Sequence, residues 1–407
     1  MELAALYKRV IGLDIHQAQI TACALIEEAD GGMRIEQRQF GAFKRDRREL
    51  ASWAAALRPD CVVMESTGIY WKSPYAALEA AGISAKVVNA RHVKNVLGRK
   101  TDVGDAQWLA TWARAGLLRG SFIPPARLRE LRLIARQRQK LVGQLASEKN
   151  RVHKVLTDGG IRLGVVVSDL HGQSARAMVR AIIAGQPPHE VIQFASDRLK
   201  ASREDIFEAL QGELSASHRF VLDELMHHIG EIEARIARFD ARLLAGLDDE
   251  RNTLALLQTL PGVDLIGAAM LFVEIGTDMG VFGSPDRLAS WVGMCPGNNE
   301  SAGKRKSGHI RKGNLYVRRL LCEFAHAASR TRSAFKAKFQ SLVIRRGHKR
   351  SIVALGHKIL RTIFFMLKRG EHYRDSATDY EALSVQRNAP RWIKALTKYG
   401  FITPAGA

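Results

Sequence analysis

The chain has 407 residues, 46% of them hydrophobic and only 11 of them proline, which is the composition of folded domains rather than of a disordered tail. Its 62 Lys and Arg exceed its 41 Asp and Glu, and the net charge of +21 favours a polyanionic partner such as nucleic acid. Four scattered cysteines without a CxxC pair argue against a zinc module or a disulfide framework, and the absence of a long apolar run or a signal-peptide pattern predicts a cytoplasmic protein with no membrane partner.

Residues 8 to 120 have the pattern of an α/β domain. The predicted strands are Arg9–Asp14, Gln19–Ile26, Met33–Phe40, Cys61–Glu65 and Ala85–Asn89, with helices near Arg47–Leu57, Tyr75–Ala81 and on both sides of Thr101. Three consecutive strands followed by alternating helices and strands are typical of a ribonuclease-H-like mixed sheet.

Four carboxylates occupy special positions in this domain. Asp14 and Glu65 end two apolar strands, while Asp102 and Asp105 share one face if a helix begins there. If the two strands are adjacent and parallel, all four acids converge at one sheet edge, an arrangement suited to two Mg²⁺ ions in phosphoryl transfer. Each acid alone has a structural alternative, because acids commonly cap strands and helices.

From about Leu128 the pattern becomes helical. Apolar residues step by three and four through Leu225, Ile229, Ile232, Ile236, Phe239 and Leu243. This seam predicts a coiled-coil or antiparallel helical arm, with an ordinary bundle helix as the alternative. Residues 157 to 218 are expected to form a turn-rich tip or a small insertion.

A second domain is predicted from about Asn252 to Tyr373. Its opening segment, 257–276, has the form of a helix-hairpin-helix. Gly262 breaks one helix, Gly267 permits close approach, and the next helix offers free N–H groups to a phosphate. A plain turn between two helices is the alternative.

Downstream, a predicted loop carries Ser301 next to a small residue and a glycine, followed by Lys304, Arg305 and Lys306. An accessible serine could attack phosphorus while the cations stabilise the developing charge, although most loop serines only form turns. Between residues 304 and 369 there are 19 Lys or Arg and one acid, which supply +18 of the net charge. Apolar residues alternate with these cations at helical spacing, which predicts a folded domain with a basic face. The candidate nucleic-acid contacts are Gly262, Gly267, Lys304, Arg305, Lys306, Arg311, Lys312, Arg318 and Arg319.

Several short segments, in this order, resemble the IS110/IS1111 family of insertion-sequence transposases, also called bridge recombinases. They are Ile11-Gly-Leu-Asp14, Met64-Glu65-Ser-Thr-Gly68, Lys100-Thr-Asp102-Val-Gly-Asp105-Ala106, Leu260-Pro-Gly-Val263, Glu300-Ser301-Ala-Gly-Lys304 and Ile310-Arg-Lys-Gly-Asn314. Together they span residues 11 to about 330.

The resemblance implies a RuvC-like domain whose DEDD carboxylates are Asp14, Glu65, Asp102 and Asp105, binding two Mg²⁺ ions with Mn²⁺ able to substitute. It implies a mainly α-helical C-terminal transposase domain in which Ser301 forms a covalent phosphoserine link with DNA. Donor and target double-stranded DNA are the implied substrates. A structured noncoding bridge RNA and a homo-oligomer, dimer or tetramer, are the implied partners, acting at the bacterial nucleoid.

The expected domains are therefore 1–122 (RuvC-like), 123–250 (helical arm with insertion), 251–375 (transposase domain) and 376–407 (tail without an assigned role). Family members often have Ser-Gly where this chain has Ser301-Ala302, and serine where it has Arg311, so Ser307 remains a second candidate nucleophile. Two alternative functions stay open. One is a RuvC-like junction endonuclease in which water attacks, and the other is a non-enzymatic architectural protein that binds nucleic acid.

Overall fold

The computed structural model describes residues 5–65, 68–88, 104–296, 299–301, 304–307, 310, 312–375 and 380–402, and for residues 299–301, 304–307, 381 and 384 it describes the backbone alone. The chain divides into two compact units, Met1–Ala126 and Arg127–Ala407. None of the helices within the described ranges has the length and hydropathy needed to cross a bilayer.

The first unit is an α/β domain built on a five-stranded sheet. Its strands are β1 (Arg9–Ile15), β2 (Gln19–Glu27), β3 (Met33–Gly41), β4 (Cys61–Glu65) and β5 (Ala85–Val88). Its helices are α1 (Lys44–Leu57), α2 (Lys72–Ala80) and α3 (Gly104–Arg114). The strand order is β3-β2-β1-β4-β5; β2 pairs antiparallel with both β1 and β3, whereas β1, β4 and β5 run parallel. This order confirms the predicted mixed sheet.

Alternation along the strands gives the sheet two buried faces. Ile11 and Leu13 point to one face, where α1 contributes Leu50. Val10 and Val63 point to the other face, beneath α3. Because β1 is covered on both sides, it consists almost entirely of apolar residues, and its polar residue Asp14 comes at its carboxyl end.

The second unit begins with two long helices, α4 (Ala126–Asp158) and α9 (Ala216–Ala245), which we call the arm. Ion pairs join Arg138 to Asp240 and Lys149 to Glu233, and Nε2 of His218 lies 3.0 Å from Oδ2 of Asp158. Because residue numbers rise along one helix as they fall along the other, the helices are antiparallel. Ile229 and Ile232 of the predicted seam are buried within the chain, so an antiparallel arm accounts for the seam. A coiled coil between subunits stays a prediction.

Residues 159–215 are more ordered than a turn-rich tip. They contain four short helices: α5 (Leu163–Val166), α6 (Gln173–Ile183), α7 (Pro188–Val191) and α8 (Arg203–Ala209). Met178 and Val179 are fully buried in a cluster that also includes Val152 and Leu222 of the arm. The insertion is thus a small helical body that shares its core with the ends of the two arm helices.

The remaining chain is mainly helical, as predicted. Its helices are α10 (Arg251–Gln258), α11 (Leu265–Ile275), α12 (Pro285–Val292), α13 (Leu315–Ala328), α14 (Ala334–Arg346), α15 (His348–Arg369) and α16 (Tyr380–Lys398). A two-stranded hairpin, β6 (Asn299–Ser301) and β7 (Lys304–Ser307), lies between α12 and α13. Most of the apolar residues expected to alternate with the cations are buried, and Leu321, Phe324, Ile359 and Ile363 are at most 3% exposed. The basic segment is therefore a folded body with a basic surface.

Candidate active site

Asp14 and Glu65 occupy equivalent places on neighbouring parallel strands. The register of β1 with β4 pairs Leu13 with Met64, so Asp14 and Glu65 are the next residues in line at the carboxyl edge. Both follow the alternation of Val10 and Val63, which places them on the α3 side of the sheet. Two acids separated by 50 residues in the chain thus come to one place because the two strands pair in parallel.

Helix α3 brings its first turn to the same edge. The backbone N–H groups of Leu6 and Tyr7, just before β1, donate to the carbonyl oxygen of Arg114 at 2.7 and 3.3 Å. The carboxyl end of α3 therefore lies at the start of β1, and its amino end, with Asp105 in the first turn, points toward the end of β1 that carries Asp14. The positive end of the helix dipole stabilises negative charge there.

Close packing fixes this helix on the sheet. A Cβ added to Gly12 of β1 would lie 2.1 Å from the carbonyl oxygen of Ala106 and 2.7 Å from the backbone nitrogen of Ala110. Only glycine allows such an approach. The Gly in Ile11-Gly-Leu-Asp14 therefore has a packing role beside the acid.

The donor chemistry of these acids suits a hard divalent cation, because Mg²⁺ prefers carboxylate oxygens. Asp102 lies outside the described residues. The face that Asp102 is predicted to share with Asp105 therefore stays a prediction. Among the described residues, no three His, Cys, Asp or Glu side chains are close enough together to hold a metal ion.

A histidine that the sequence analysis overlooked lies beside Asp14. Nε2 of His16 is 3.1 Å from Oδ2 of Asp14, and the imidazole is largely exposed. A cavity of about 240 Å³ adjoins it, lined in part by Gln17, Arg47 and Tyr70. The signal was available in the sequence, because residues two apart on an extended chain share a face.

Ser301 lies in a hairpin rather than in the predicted open loop. It is the last residue of β6 and pairs with Lys304, the first residue of β7, so it ends the ladder of paired residues at the tip. Ser307 pairs with Asn299 at the opposite end of the same hairpin. The backbone thus separates the two candidate serines, with Ser301 beside the tip and Ser307 toward the base.

The base of this hairpin is held from both sides. Pro296 and Ile310 form an antiparallel bridge, and the backbone N–H of Asn314 donates to the carbonyl oxygen of Trp291 at 3.1 Å. A Cβ added to Gly313 would lie 2.4 Å from the backbone nitrogen of Gly293. The chain therefore leaves and re-enters the helical body at one fixed point.

Asn314 also connects the hairpin base to a buried carboxylate. Its Oδ1 caps α13 by accepting from the backbone N–H groups of Tyr316 and Val317, while its Nδ2 donates to Oε2 of Glu274 at 2.7 Å. Glu274 is 1% exposed. Both hydrogen-bonding groups of one amide side chain are thus engaged.

Two arginines of the arm neutralise Glu274. Arg136 donates to both carboxylate oxygens at 2.7 and 3.0 Å, and Arg132 lies 3.3 Å from Oε2. Burial alone would raise the pKa of Glu274, but the hydrogen bond from Arg136 and the charges of both arginines outweigh it and lower that pKa. Burial lowers the pKa of Arg132 to about 10. A lone acid in the apolar run of α11 was the sequence signal for this network, which was missed.

The predicted helix-hairpin-helix consists of α10, a turn and α11. A Cβ added to Gly262 would lie 2.7 Å from the backbone of Phe324 and Ala328, and one added to Gly267 would lie 2.6 Å from the ring of Phe324. Both glycines therefore pack against α13. The expectation of free N–H groups at the start of α11 is wrong for Gly267, because its N–H donates to Oδ1 of Asp264 at 2.7 Å. Phosphate binding by this hairpin remains a prediction.

The basic residues predicted to contact nucleic acid lie in the hairpin or shortly after it in the chain. Lys304, Arg305 and Lys306 form most of β7, and Arg311 lies outside the described residues. Lys312 and Arg319 are exposed, whereas Arg318 is half-buried on α13. Their binding of nucleic acid stays a prediction.

Two family models and two known proteins that match this chain are all described as transposases. The DEDD_Tnp_IS110 family model, described as "Transposase", matches residues 11–160, and a model described as "Transposase IS116/IS110/IS902 family" matches residues 254–340. The chain is 24% identical over 377 residues to the transposase for insertion sequence element IS1111A of Coxiella burnetii, covering 91% of this chain and 92% of that protein. It is 26% identical over 337 residues to a probable family 20 transposase of Pseudomonas aeruginosa, covering 81% and 90%.

Among solved structures, the chain matches Thermus thermophilus RuvC at 15% identity with a TM-score of 0.23, covering 28% of this chain and 99% of that chain. The same protein in complex with a Holliday junction substrate matches at 13% identity with a TM-score of 0.22.

Proposed function

Because this chain belongs to the IS110 family of insertion-sequence transposases, we propose that it cuts and rejoins DNA strands with a serine nucleophile and a carboxylate-bound divalent metal. The observation that supports the metal site most strongly is the shared sheet edge. Asp14 and Glu65 are adjacent in register, and the first turn of α3, with Asp105, points toward that edge. Asp102, two residues before α3, would complete the set.

The proposed metal is Mg²⁺, bound by Asp14, Glu65, Asp102 and Asp105. When bound, it would polarise the phosphodiester and stabilise the charge on the attacking and leaving oxygens. The fold of the chain accounts for the position of these acids. The acids collect at one edge because β1 and β4 pair in parallel, and the N-terminus of α3 stabilises anionic groups there.

In the proposed reaction the hydroxyl oxygen of Ser301 attacks phosphorus. A serine–phosphate ester forms, the bond from phosphorus to one sugar oxygen breaks, and the serine proton is transferred so that the sugar oxygen leaves as a hydroxyl. Rejoining reverses these steps with a different sugar hydroxyl. One phosphate ester replaces another at each step, so no nucleotide cofactor is required to reseal the strand.

The position of Ser301 supports its choice over Ser307. Ser301 adjoins the hairpin turn, whereas Ser307 lies toward the base that Pro296, Ile310 and Asn314 hold against the helical body. A nucleophile beside the tip of a hairpin can approach a DNA backbone with less steric hindrance. Lys304, opposite Ser301 in the hairpin, is proposed to stabilise the pentavalent phosphate.

Incubation with a radiolabelled element-end DNA, followed by denaturing electrophoresis, tests the nucleophile. The wild type and Ser307→Ala should form a covalent protein–DNA adduct, and Ser301→Ala should form none while still binding the DNA. Nicked DNA without an adduct in all three proteins would indicate attack by water and favour the junction-nuclease alternative. An adduct that persists in Ser301→Ala but not in Ser307→Ala would transfer the role to Ser307.

The partners follow from the family and from charge. We propose that a structured noncoding RNA encoded beside the gene pairs with donor and target DNA, and that the protein acts as a dimer or tetramer. The net charge of +21 is suited to holding both polymers. Co-purification of a single RNA species with the expressed protein, and loss of recombination when that RNA is omitted, is the expected result.

A further inference from the structure

Three helices near the C-terminus meet around one aromatic ring. Nζ of Lys358 on α15 lies 4.3 Å from the ring centroid of Tyr380, and Nζ of Lys338 on α14 lies 5.0 Å from it. Tyr380 is the first residue of α16. A single ring therefore holds two ammonium groups from different helices through cation–π contacts.

Among the residues whose side chains the structure describes, cations outnumber acids at this cluster. Burial and the neighbouring charges of Arg387, Arg346 and Arg345 lower the pKa of Lys338. Burial and the charge of Lys338 lower the pKa of Lys358. Several cations thus repel one another in a half-buried place, an arrangement that an anion would stabilise.

Asp375, an acid that interacts with Lys358, already accepts hydrogen bonds from other groups. The carboxylate of Asp375 accepts from the hydroxyl of Tyr373 at 2.6 Å and from the backbone N–H of Ala334 at 3.1 Å. The charge of Asp375 raises the pKa of Lys358, whereas burial and the charge of Lys338 lower it, and the net shift is downward. An ammonium group has three N–H donors, so each lysine can donate to an external ligand while it contacts the ring.

We propose that Lys338 and Lys358, held by Tyr380, bind a phosphodiester group of the nucleic acid at a site separate from the serine hairpin. This inference rests on the proposed function, because it supposes a nucleic-acid substrate or guide. Paired ammonium groups with nearby guanidinium groups match phosphate oxygens, and phosphate contacts position a protein on nucleic acid without selecting its sequence. The site would also give the C-terminal helix α16 a purpose, which is to hold the two lysines in place.

The salt dependence of binding tests the site, because each lost phosphate contact lowers the slope of log K against log salt by about 0.9 on duplex DNA and by about 0.7 on a single strand. Binding of the full chain is measured in two series, one with element-end duplex DNA and one with the flanking RNA. Lys338→Gln/Lys358→Gln is compared with Lys349→Gln/Lys368→Gln, which removes two exposed lysines of α15, the helix that also carries Lys358. In the series that contains the natural ligand, we expect Lys338→Gln/Lys358→Gln to lower the slope by about one more than the control double variant does.

Substitution of Tyr380 distinguishes a specific phosphate site from a general effect of positive charge. Tyr380→Phe keeps the ring and should retain the wild-type slope, whereas Tyr380→Ala should lower it although no charge is removed. Equal slopes for the two double lysine variants, with both the DNA and the RNA, would overturn the inference. So would variants that change only the oligomeric state in sedimentation, because the cluster would then contact an acidic protein surface.

The proposed function is judged by separate results. If the wild type binds neither nucleic acid, the proposed function fails. If it binds and forms the serine adduct but the slopes are equal, only the phosphate site fails.

Discussion

Gly12 and Ala106 lie in direct backbone contact, with the carbonyl oxygen of Ala106 where a side chain of residue 12 would otherwise begin. This contact sets the height of α3 above β1. It thereby sets how closely the first turn of α3, with Asp105, approaches the strand that ends at Asp14. We therefore expect Gly12 to influence the spacing of these two carboxylates.

Gly12→Val should push α3 away from the sheet. Overpacking of a tight core contact costs about 1–3 kcal/mol, so the free energy of unfolding should fall by that amount, and DNA cleavage should fall further than stability alone explains. Chemical denaturation and a cleavage assay measure both. The control is Gly230→Ala on the arm, where nothing lies within 4 Å of the added methyl group. It should raise helix stability by about 0.5–1 kcal/mol. Full cleavage activity in Gly12→Val would show that the height of α3 does not matter.

We expect both the amide oxygen and the amide nitrogen of Asn314 to be needed for rapid adduct formation. Asn314→Asp keeps a good helix cap but places a second carboxylate against Glu274, whereas Asn314→Ala loses the cap, which costs about 1 kcal/mol, and the contact with Glu274 as well. We expect both variants to retain DNA binding and to form the serine adduct more slowly, because the hairpin base is less firmly held. Single-turnover adduct formation at saturating DNA measures this. Wild-type rates in Asn314→Asp would mean that the contact with Glu274 does not position the hairpin.

Removing Glu274 should be more damaging than altering its partner. Glu274→Ala leaves Arg132 and Arg136 without their carboxylate, and breaking a buried ion pair costs about 3–5 kcal/mol. Urea denaturation of the full chain should show a lower midpoint for the transition of the C-terminal region. A comparable loss from Glu250→Ala, whose carboxylate makes a looser 3.8 Å pair with the exposed Arg127, would contradict a special role for Glu274.

The same carboxylate makes stability depend on pH. The pKa of Glu274 is lowered in the folded protein relative to its value of 4.5 in the unfolded chain. Between these two values the unfolded state binds more protons, so this contribution to stability is present above about pH 4.5 and is lost as the pH falls through the folded pKa. The unfolding free energy of the wild type should therefore drop more steeply below pH 4.5 than that of Glu274→Gln. Parallel curves for the two proteins would contradict this assignment.

Local pattern predicted much of the first unit. The run Cys61-Val-Val-Met-Glu65 is flanked by polar residues, and β4 has these bounds in the structure. The convergence of Asp14 with Glu65 could be stated only conditionally, because strand pairing over 50 residues is set by the tertiary fold. Gly12 was part of a recognised motif, yet its contact with Ala106 depends on a helix that lies more than 90 residues away.

Elsewhere tertiary structure outweighed local signals. Glycine and proline pairs in residues 157 to 218 suggested turns, but Met178 and Val179 are buried with residues of the arm. The glycine-rich segment near Ser301 suggested a loop, whereas pairing with the lysine-rich strand makes it a hairpin. Glu274 was overlooked because its two arginines lie about 140 residues earlier in the chain.

The most direct test of the central claim is divalent-metal-dependent formation of the serine adduct by Asp14→Asn, compared with the wild type at equal DNA occupancy. If the carboxylate edge and the serine act in one reaction, the wild type forms the adduct only with Mg²⁺ or Mn²⁺, and Asp14→Asn forms none although it binds DNA normally. Adduct formation by Asp14→Asn at the wild-type rate would contradict the claim.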